Sequence, residues 1–308
     1  MQATTQSGIR NVLAPGERKV RQRLDHLKYP TLKGRFYSDT SFANVKSLRS
    51  FRTAQHFTNG LGYERFYPTL SKGHGPTALM DCIQDVGIPA TLVTDGAAEE
   101  TKGEWAETCK VYHIQRKETV PYSPWQNLAE ASVRAIKQGI RRATTRTKSP
   151  KRLWCYCGQW VAAIRRLTAL DLPQLEGQVP EAYVSGSTVD ISSYAQFDWY
   201  EYVWYSEPKA SFPNVKKCLG RWIGIAEVST DIMASYILTD TGKVIVRKSV
   251  WGISPEDLEK EGLQSQKNEL DEKIKLHIGD QIEAENVKVR KRGGEPKPLY
   301  TPPSAGDL

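Results

Sequence analysis

Leu92-Val93-Thr94-Asp95-Gly96-Ala97 and Pro121-Tyr122-Ser123-Pro124-Trp125-Gln126-Asn127-Leu128-Ala129-Glu130 mark the stretch from Leu92 to Arg142, around which the chain is organised. The first run reads as an apolar strand that ends in an acid and a glycine. The second opens a basic helix. Asp95 and Glu130 stand 35 positions apart, one closing a strand and one on a helix, and such a pair can meet across a sheet edge. A third acid lies upstream in Arg35-Phe-Tyr-Ser-Asp39-Thr, on another apolar strand. Taken singly, an Asp at a strand end is a turn or cap residue, and a Glu in a first helical turn answers the helix dipole. Taken together, three converging carboxylates make an all-oxygen anionic site that suits Mg²⁺ or Mn²⁺ rather than zinc or copper.

Asp39, Asp95 and Glu130 resemble the acidic triad of retroviral-type integrases. The run Pro121 to Asn127 followed by Glu130 is similar to the Pro-(Tyr/His)-(Ser/Thr)-Pro-Gln-X-Asn-Gly-X-X-Glu signature of copia-type long-terminal-repeat retrotransposons. Cys218-Leu-Gly-Arg-Trp-Ile-Gly and Thr241-Gly-Lys-Val-Ile-Val-Arg-Lys-Ser-Val resemble the SH3-like barrel that follows the integrase core in those Gag-Pol polyproteins. The likeness spans Gly34 to Pro255. It departs from the pattern where Gly96-Ala97 follows Asp95 in place of Asn-Gly, and where Leu128 follows Asn127 in place of Gly. The resemblance implies an RNase H-like core with a mixed five-stranded sheet and flanking helices, then a small all-β barrel. It implies metal-dependent 3′-processing and strand transfer with two Mg²⁺ or Mn²⁺ ions, Asp39 bridging them, and Asp95 and Glu130 completing one site each. Partners would be DNA, both element ends and target, with the chain acting as a homo-oligomer in the nucleus. Two other readings stay open: a decayed or truncated element that only binds nucleic acid, and a nuclease of the same fold that hydrolyses without joining.

Outward from that centre the elements follow a β-β-β-α-β-α-β-α order. Residues 1–33 form a basic arm, and Gly34 opens a core running to residue 148. Phe36 to Thr40 reads as a strand, and Asn59-Gly60 as the turn of a hairpin across Phe51 to Tyr67. Pro76 and Gly87 bracket a helix, Ala90 to Thr94 is a strand, Glu99 to Cys109 a helix with Trp105 inward, and Val111 to Gln115 a strand. The long helix from Asn127 to Arg146 carries an apolar stripe of Ala129, Val133, Ile136 and Ile140. A second stripe holds Glu130, Arg134, Lys137 and Arg141. From Arg134 through Lys137, Arg141, Arg142, Arg146, Lys148 and Lys151 to Arg152 no acid intervenes. Ordinary exposed faces mix signs, so these residues, with Asn127, are expected to contact DNA phosphates; Asn127 alone is also explained as a helix cap.

Residues 149–193 are a helical connector with an amphipathic helix from Leu153 to Leu167. Residues 194–255 hold short aromatic strands, Phe197 to Tyr205, Trp222 to Val228, Ala234 to Leu238 and Lys243 to Arg247, expected as a five-strand barrel whose aromatics fill its core. Residues 256–308 form a charged helix, exposed or self-associating through Leu258, Leu263, Leu270, Ile274 and Leu276, and a partly disordered tail with a basic cluster at Lys288 to Arg292.

The 308 residues carry a net charge of +8 with an isoelectric point near 9.1, which favours an anionic polymer as partner. No apolar run is long enough to span a bilayer, and no secretory leader is read at the start. The five cysteines are odd in number with no Cys-X-X-Cys, and the five histidines are scattered, so no disulfide framework and no zinc site is expected, and the chain reads as intracellular.

Overall fold

The computed structural model describes residues 28–95, 103–119, 128–186, 188–208, 216–227, 229, 233–258 and 261–279. Residues 1–27 of the expected basic arm, the Pro121 to Asn127 loop and the Lys288 to Arg292 cluster lie outside them. Five strands build the first sheet: β1 (Thr31–Phe42), β2 (Thr53–Thr58), β3 (Glu64–Thr69), β4 (Ile88–Thr94) and β5 (Gln115–Glu118). Their order is β3-β2-β1-β4-β5, with β1 antiparallel to β2 and parallel to β4. Helix α1 (Gly75–Asp85) precedes β4, α2 (Gly103–Val111) precedes β5, and α3 (Leu128–Thr147) follows it. This is an RNase H-like core, as the element order predicts.

The hairpin turn is fixed by Asn59, whose Oδ1 accepts the backbone N–H groups of Leu61 and Tyr63. On one face of the sheet Phe36, Phe57 and Leu92 are buried against Leu79 and Ile83 of α1 and Trp105 of α2. On the other face α3 and α4 (Trp154–Leu167) cover Ala54, Phe66 and His56. Two strand boundaries differ from expectation. β1 begins at Thr31, before Gly34, which sits inside the strand at φ +94° where the pairing with β4 shifts between Leu32 and Arg35; it is a bulge residue and not a starting point. β5 lies at Gln115–Glu118 and not at Val111 to Gln115. Val111 ends α2, while Tyr112 and Ile114 fill the core. All four residues of β5 are exposed at a sheet edge, so no apolar alternation announces them.

The second sheet is antiparallel, ordered β10-β6-β7-β8-β9, from β6 (Tyr202–Ser206), β7 (Lys217–Ile225), β8 (Ser235–Leu238), β9 (Val244–Arg247) and β10 (Val250–Gly252). This is the five-strand SH3-like unit. Its first strand starts later than expected, because Asp198 to Glu201 form a turn with Tyr200 at φ +64°. Phe197, Trp199 and Trp222 are buried as packing residues, whereas Trp251 at 49% is exposed.

Helix α5 (Glu261–Ile278) corrects an expectation. Leu263, Leu270 and Ile274 are buried within the chain, and of the apolar residues expected to lie open on this helix Leu276 alone is exposed, at 81%. Leu270, Ile274 and Ile278 are buried in one cluster with Leu153, Ile223 and Leu238, so α5 packs across both sheets' neighbours. Arg221 of β7, 7% exposed, grips Asp271 of α5 through Nη2 at 2.7 Å to each carboxylate oxygen. Tyr202 Oη donates to the same carboxylate at 2.8 Å. Arg152 Nη1 donates to the carbonyl of Ile278 at 3.2 Å and closes the helix end.

Helix α4 meets β3 at Gly158, where an added Cβ would fall 2.5 Å from Phe66 Cε1. In an open helix Gly→Ala stabilises. Here Gly158→Ala is expected to destabilise by about 1–3 kcal/mol through overpacking, read as a lower urea midpoint; an unchanged or raised midpoint would show that the contact yields freely.

Candidate active site

β1 and β4 are adjacent and parallel, and Tyr37 pairs with Val93. Two residues further on, the same register sets Asp39 beside Asp95, the first residue past β4. Both acids therefore stand toward the carboxyl ends of neighbouring parallel strands, the end of an α/β sheet at which ligands bind. Helix α3 buries Ala129, Val133 and Ile136 against the sheet, which leaves Glu130 exposed in its first turn. Three elements thus deliver three carboxylates to one end of the sheet, although they are far apart in the chain.

Asp95 and Glu130 both act on Asp39 through their charge. The Asp39 carboxyl is held up at about 6 against an ordinary 3.8, first by burial and then by the negative charges of Asp95 and Glu130. The Thr40 N–H, donating to Oδ1 at 2.7 Å, and the Lys137 ammonium oppose that rise. Among the described residues, however, no three Asp, Glu, His or Cys side chains stand close enough to clasp one ion. Glu130 faces Arg134 at 3.4 Å on an exposed surface, a pair weak enough for a competing cation to displace. The donor types, carboxylates alone, are those a hard divalent ion takes, and Asp39 is made proton-hungry first by burial and then by the neighbouring acids.

The basic stripe is where helical spacing places it. Arg134, Arg141, Arg142, Arg146, Lys148 and Lys151 are exposed, and Lys137 is half-buried. Lys137 reaches inward far enough to act on both Asp39 and His56. Arg146 lies 3.6 Å from Asp198, and Arg152 is half-buried with its bond to α5. Asn127 falls outside the described residues. His56, which belongs to no motif, pairs with Asp39 across β1 and β2 and is 1% exposed. Its Nε2 lies 2.8 Å from Ser41 Oγ, and its ring meets Phe66 edge-on at 5.0 Å. No local pattern marks a buried histidine in a β-rich run.

Burial, helped by Lys137, pushes the His56 imidazole down to about 3 from 6.5. The folded value lies below the unfolded one, so protons favour the unfolded chain. The stability involved is full above pH 6.5 and is lost as pH falls toward 3, by at most about 1.4 kcal/mol per unit. The gap in urea midpoint between the wild type and His56→Gln is expected to narrow steadily from pH 7 to pH 5; a constant gap would contradict this account.

Among the described residues no helix is long and apolar enough to cross a membrane. The cysteines are unbridged, and Cys82, Cys109, Cys155 and Cys157 are buried.

No protein-family model matches the chain, and no curated protein does. Solved structures with a similar fold include the HTLV-2 integrase catalytic core domain in complex with magnesium, in a trimeric form. It is 13% identical with a TM-score of 0.39, over 49% of this chain and 95% of that one. The simian T-cell lymphotropic virus intasome in complex with PP2A regulatory subunit B56 gamma is 13% identical with a TM-score of 0.40, over 81% and 91%. The BIV integrase catalytic core domain is 14% identical with a TM-score of 0.39, over 48% and 92%. The RNase H-like assignment itself stands on strand order and register.

Proposed function

We propose that this chain is the integrase region of a copia-type retrotransposon polyprotein, a polynucleotidyl transferase that processes DNA 3′ ends and joins them to target DNA. One observation carries the proposal: Asp39, on the central strand, lies within the electrostatic reach of Asp95, Glu130 and Lys137 together. Asp39, Asp95 and Glu130 would hold two Mg²⁺ or Mn²⁺ ions. When bound, such ions ease deprotonation of the attacking hydroxyl and neutralise charge on the leaving oxygen. The remaining work falls to the chain. Lys137 sets a positive charge beside Asp39, which draws a phosphate to the acids. Arg134, Arg141 and Arg142 continue that charge along α3 and hold the strand in register by backbone contact. Thr40 fixes one oxygen of Asp39 through its N–H.

The proposal extends to a chain divided into a core at 34–148, a connector at 149–193 and a barrel at 194–255. Homo-oligomers would act on element ends and target DNA in the nucleus. A second reading, a remnant that only binds nucleic acid, draws on the distance between the acids and on the Glu130–Arg134 pair. Incubating a labelled duplex with the chain and Mn²⁺ separates the possibilities. Shortened and joined strands are expected. Shortened strands without joined product would select a hydrolytic nuclease, and unaltered but bound duplex would select the remnant.

A further inference from the structure

Glu130 and Arg134 stand one turn apart on the exposed side of α3, and Arg134 Nη2 donates to Glu130 Oε1 at 3.4 Å. The partners belong to different parts of the proposed function. Glu130 is one of the three acids, and Arg134 opens the basic stripe. The pair thus ties an acid that a metal ion needs to a base that a phosphate needs. Two further observations bear on it. The charge of Glu130 reaches Asp39, yet among the described residues no three acids stand close enough to clasp one ion. Arg141, two turns farther along the stripe, is also exposed but pairs with no acid among the described residues.

We infer that Arg134 is a latch on Glu130, which holds the carboxylate along α3 in the free chain and releases it to the metal site when a DNA phosphate takes the guanidinium. The inference rests on the function proposed above and adds how its two ligands depend on one another. A divalent ion and a guanidinium on one carboxylate repel each other, so each loosens the other's hold. A phosphate offers the guanidinium a bidentate partner of its own and removes that opposition. By linkage, DNA tightens the hold on the ion by the factor by which the ion tightens the hold on DNA. An exposed pair of this kind accounts for at most about a fivefold change in either affinity. Arg134 acts on the centre through Glu130 and is a positioning residue there.

Equilibrium binding of Mn²⁺ to the full chain, read from the paramagnetic resonance of the free ion, tests this without any turnover. In the absence of DNA, Arg134→Gln is expected to bind Mn²⁺ about two- to fivefold more tightly than the wild type. Arg141→Gln removes the same charge roughly 10 Å farther along the helix, about one screening length at 0.15 M salt, and should leave the affinity nearly unchanged. In a Glu130→Gln background, Arg134→Gln should bring no gain. Saturating Mn²⁺ should also tighten binding of a 3′-dideoxy duplex, read by anisotropy, more in the wild type than in Arg134→Gln. Both arginines are exposed, so neither substitution threatens the fold. Equal gains from Arg134→Gln and Arg141→Gln, or a gain that survives Glu130→Gln, would overturn the latch and leave the metal site standing. A wild type that binds no Mn²⁺, or binds it as tightly after Glu130→Gln, would overturn the site and the latch together.

Discussion

Asp39→Asn is expected to lower strand joining below about one-thousandth of the wild-type rate, the range lost when a charge-stabilising group is removed from a reacting centre. The amide keeps the shape and still accepts the Thr40 N–H, but it has no charge to offer a divalent ion. The same substitution should raise the melting temperature at pH 7.5. The Asp39 carboxyl is held at about 6, above its unfolded value, by burial and by Asp95 and Glu130. Its contribution to stability is therefore present below about pH 3.8 and lost as pH rises through 6, and at pH 7.5 the ionised group works against folding. Joining assays and thermal melts on one preparation check both halves. A variant that joins at the wild-type rate, or one that is inactive because it melts early, would remove Asp39 from the centre.

Asp271→Ala is expected to destabilise the chain by about 3 kcal/mol, the range for removing one partner of a buried ion pair. The reason lies in what remains. Arg221 is buried over the rings of Tyr200, at 4.4 Å, and Tyr202, at 3.3 Å, and would keep only the Tyr200 carbonyl, at 2.8 Å, as an acceptor. Because α5 packs against β7 and the α4 region, the loss should loosen Leu270, Ile274 and Ile278 together. A urea midpoint shift corresponding to less than about 1 kcal/mol, the worth of a surface pair, would show that the apolar face of α5 holds the helix without the ion pair.

The positions of the two aspartates were legible because Asp39 sits on one apolar strand and Asp95 ends another, and the parallel register of β1 and β4, carried two residues on, sets them side by side. Glu130 was legible from helical spacing, since Ala129, Val133 and Ile136 had to face inward. What sequence could not show depends on contacts between distant segments. β5 is written in Gln, Arg, Lys and Glu, and only its ladder with β4 makes it a strand. The apolar positions of α5 looked available for self-association because nothing local says that Leu153 and Ile223 wait to cover them. His56 belongs with these, a polar group that only the fold buries.

The most direct measurement is a disintegration assay, in which the chain meets a branched DNA with Mn²⁺, run beside Asp95→Asn, Glu130→Gln and an EDTA control. The account predicts joined strands from the wild type with Mn²⁺ and none from either variant or from the chelated reaction. A wild type that binds the branched DNA with a steep salt dependence yet joins nothing would contradict it, and would leave a nucleic-acid-binding remnant in place of an enzyme.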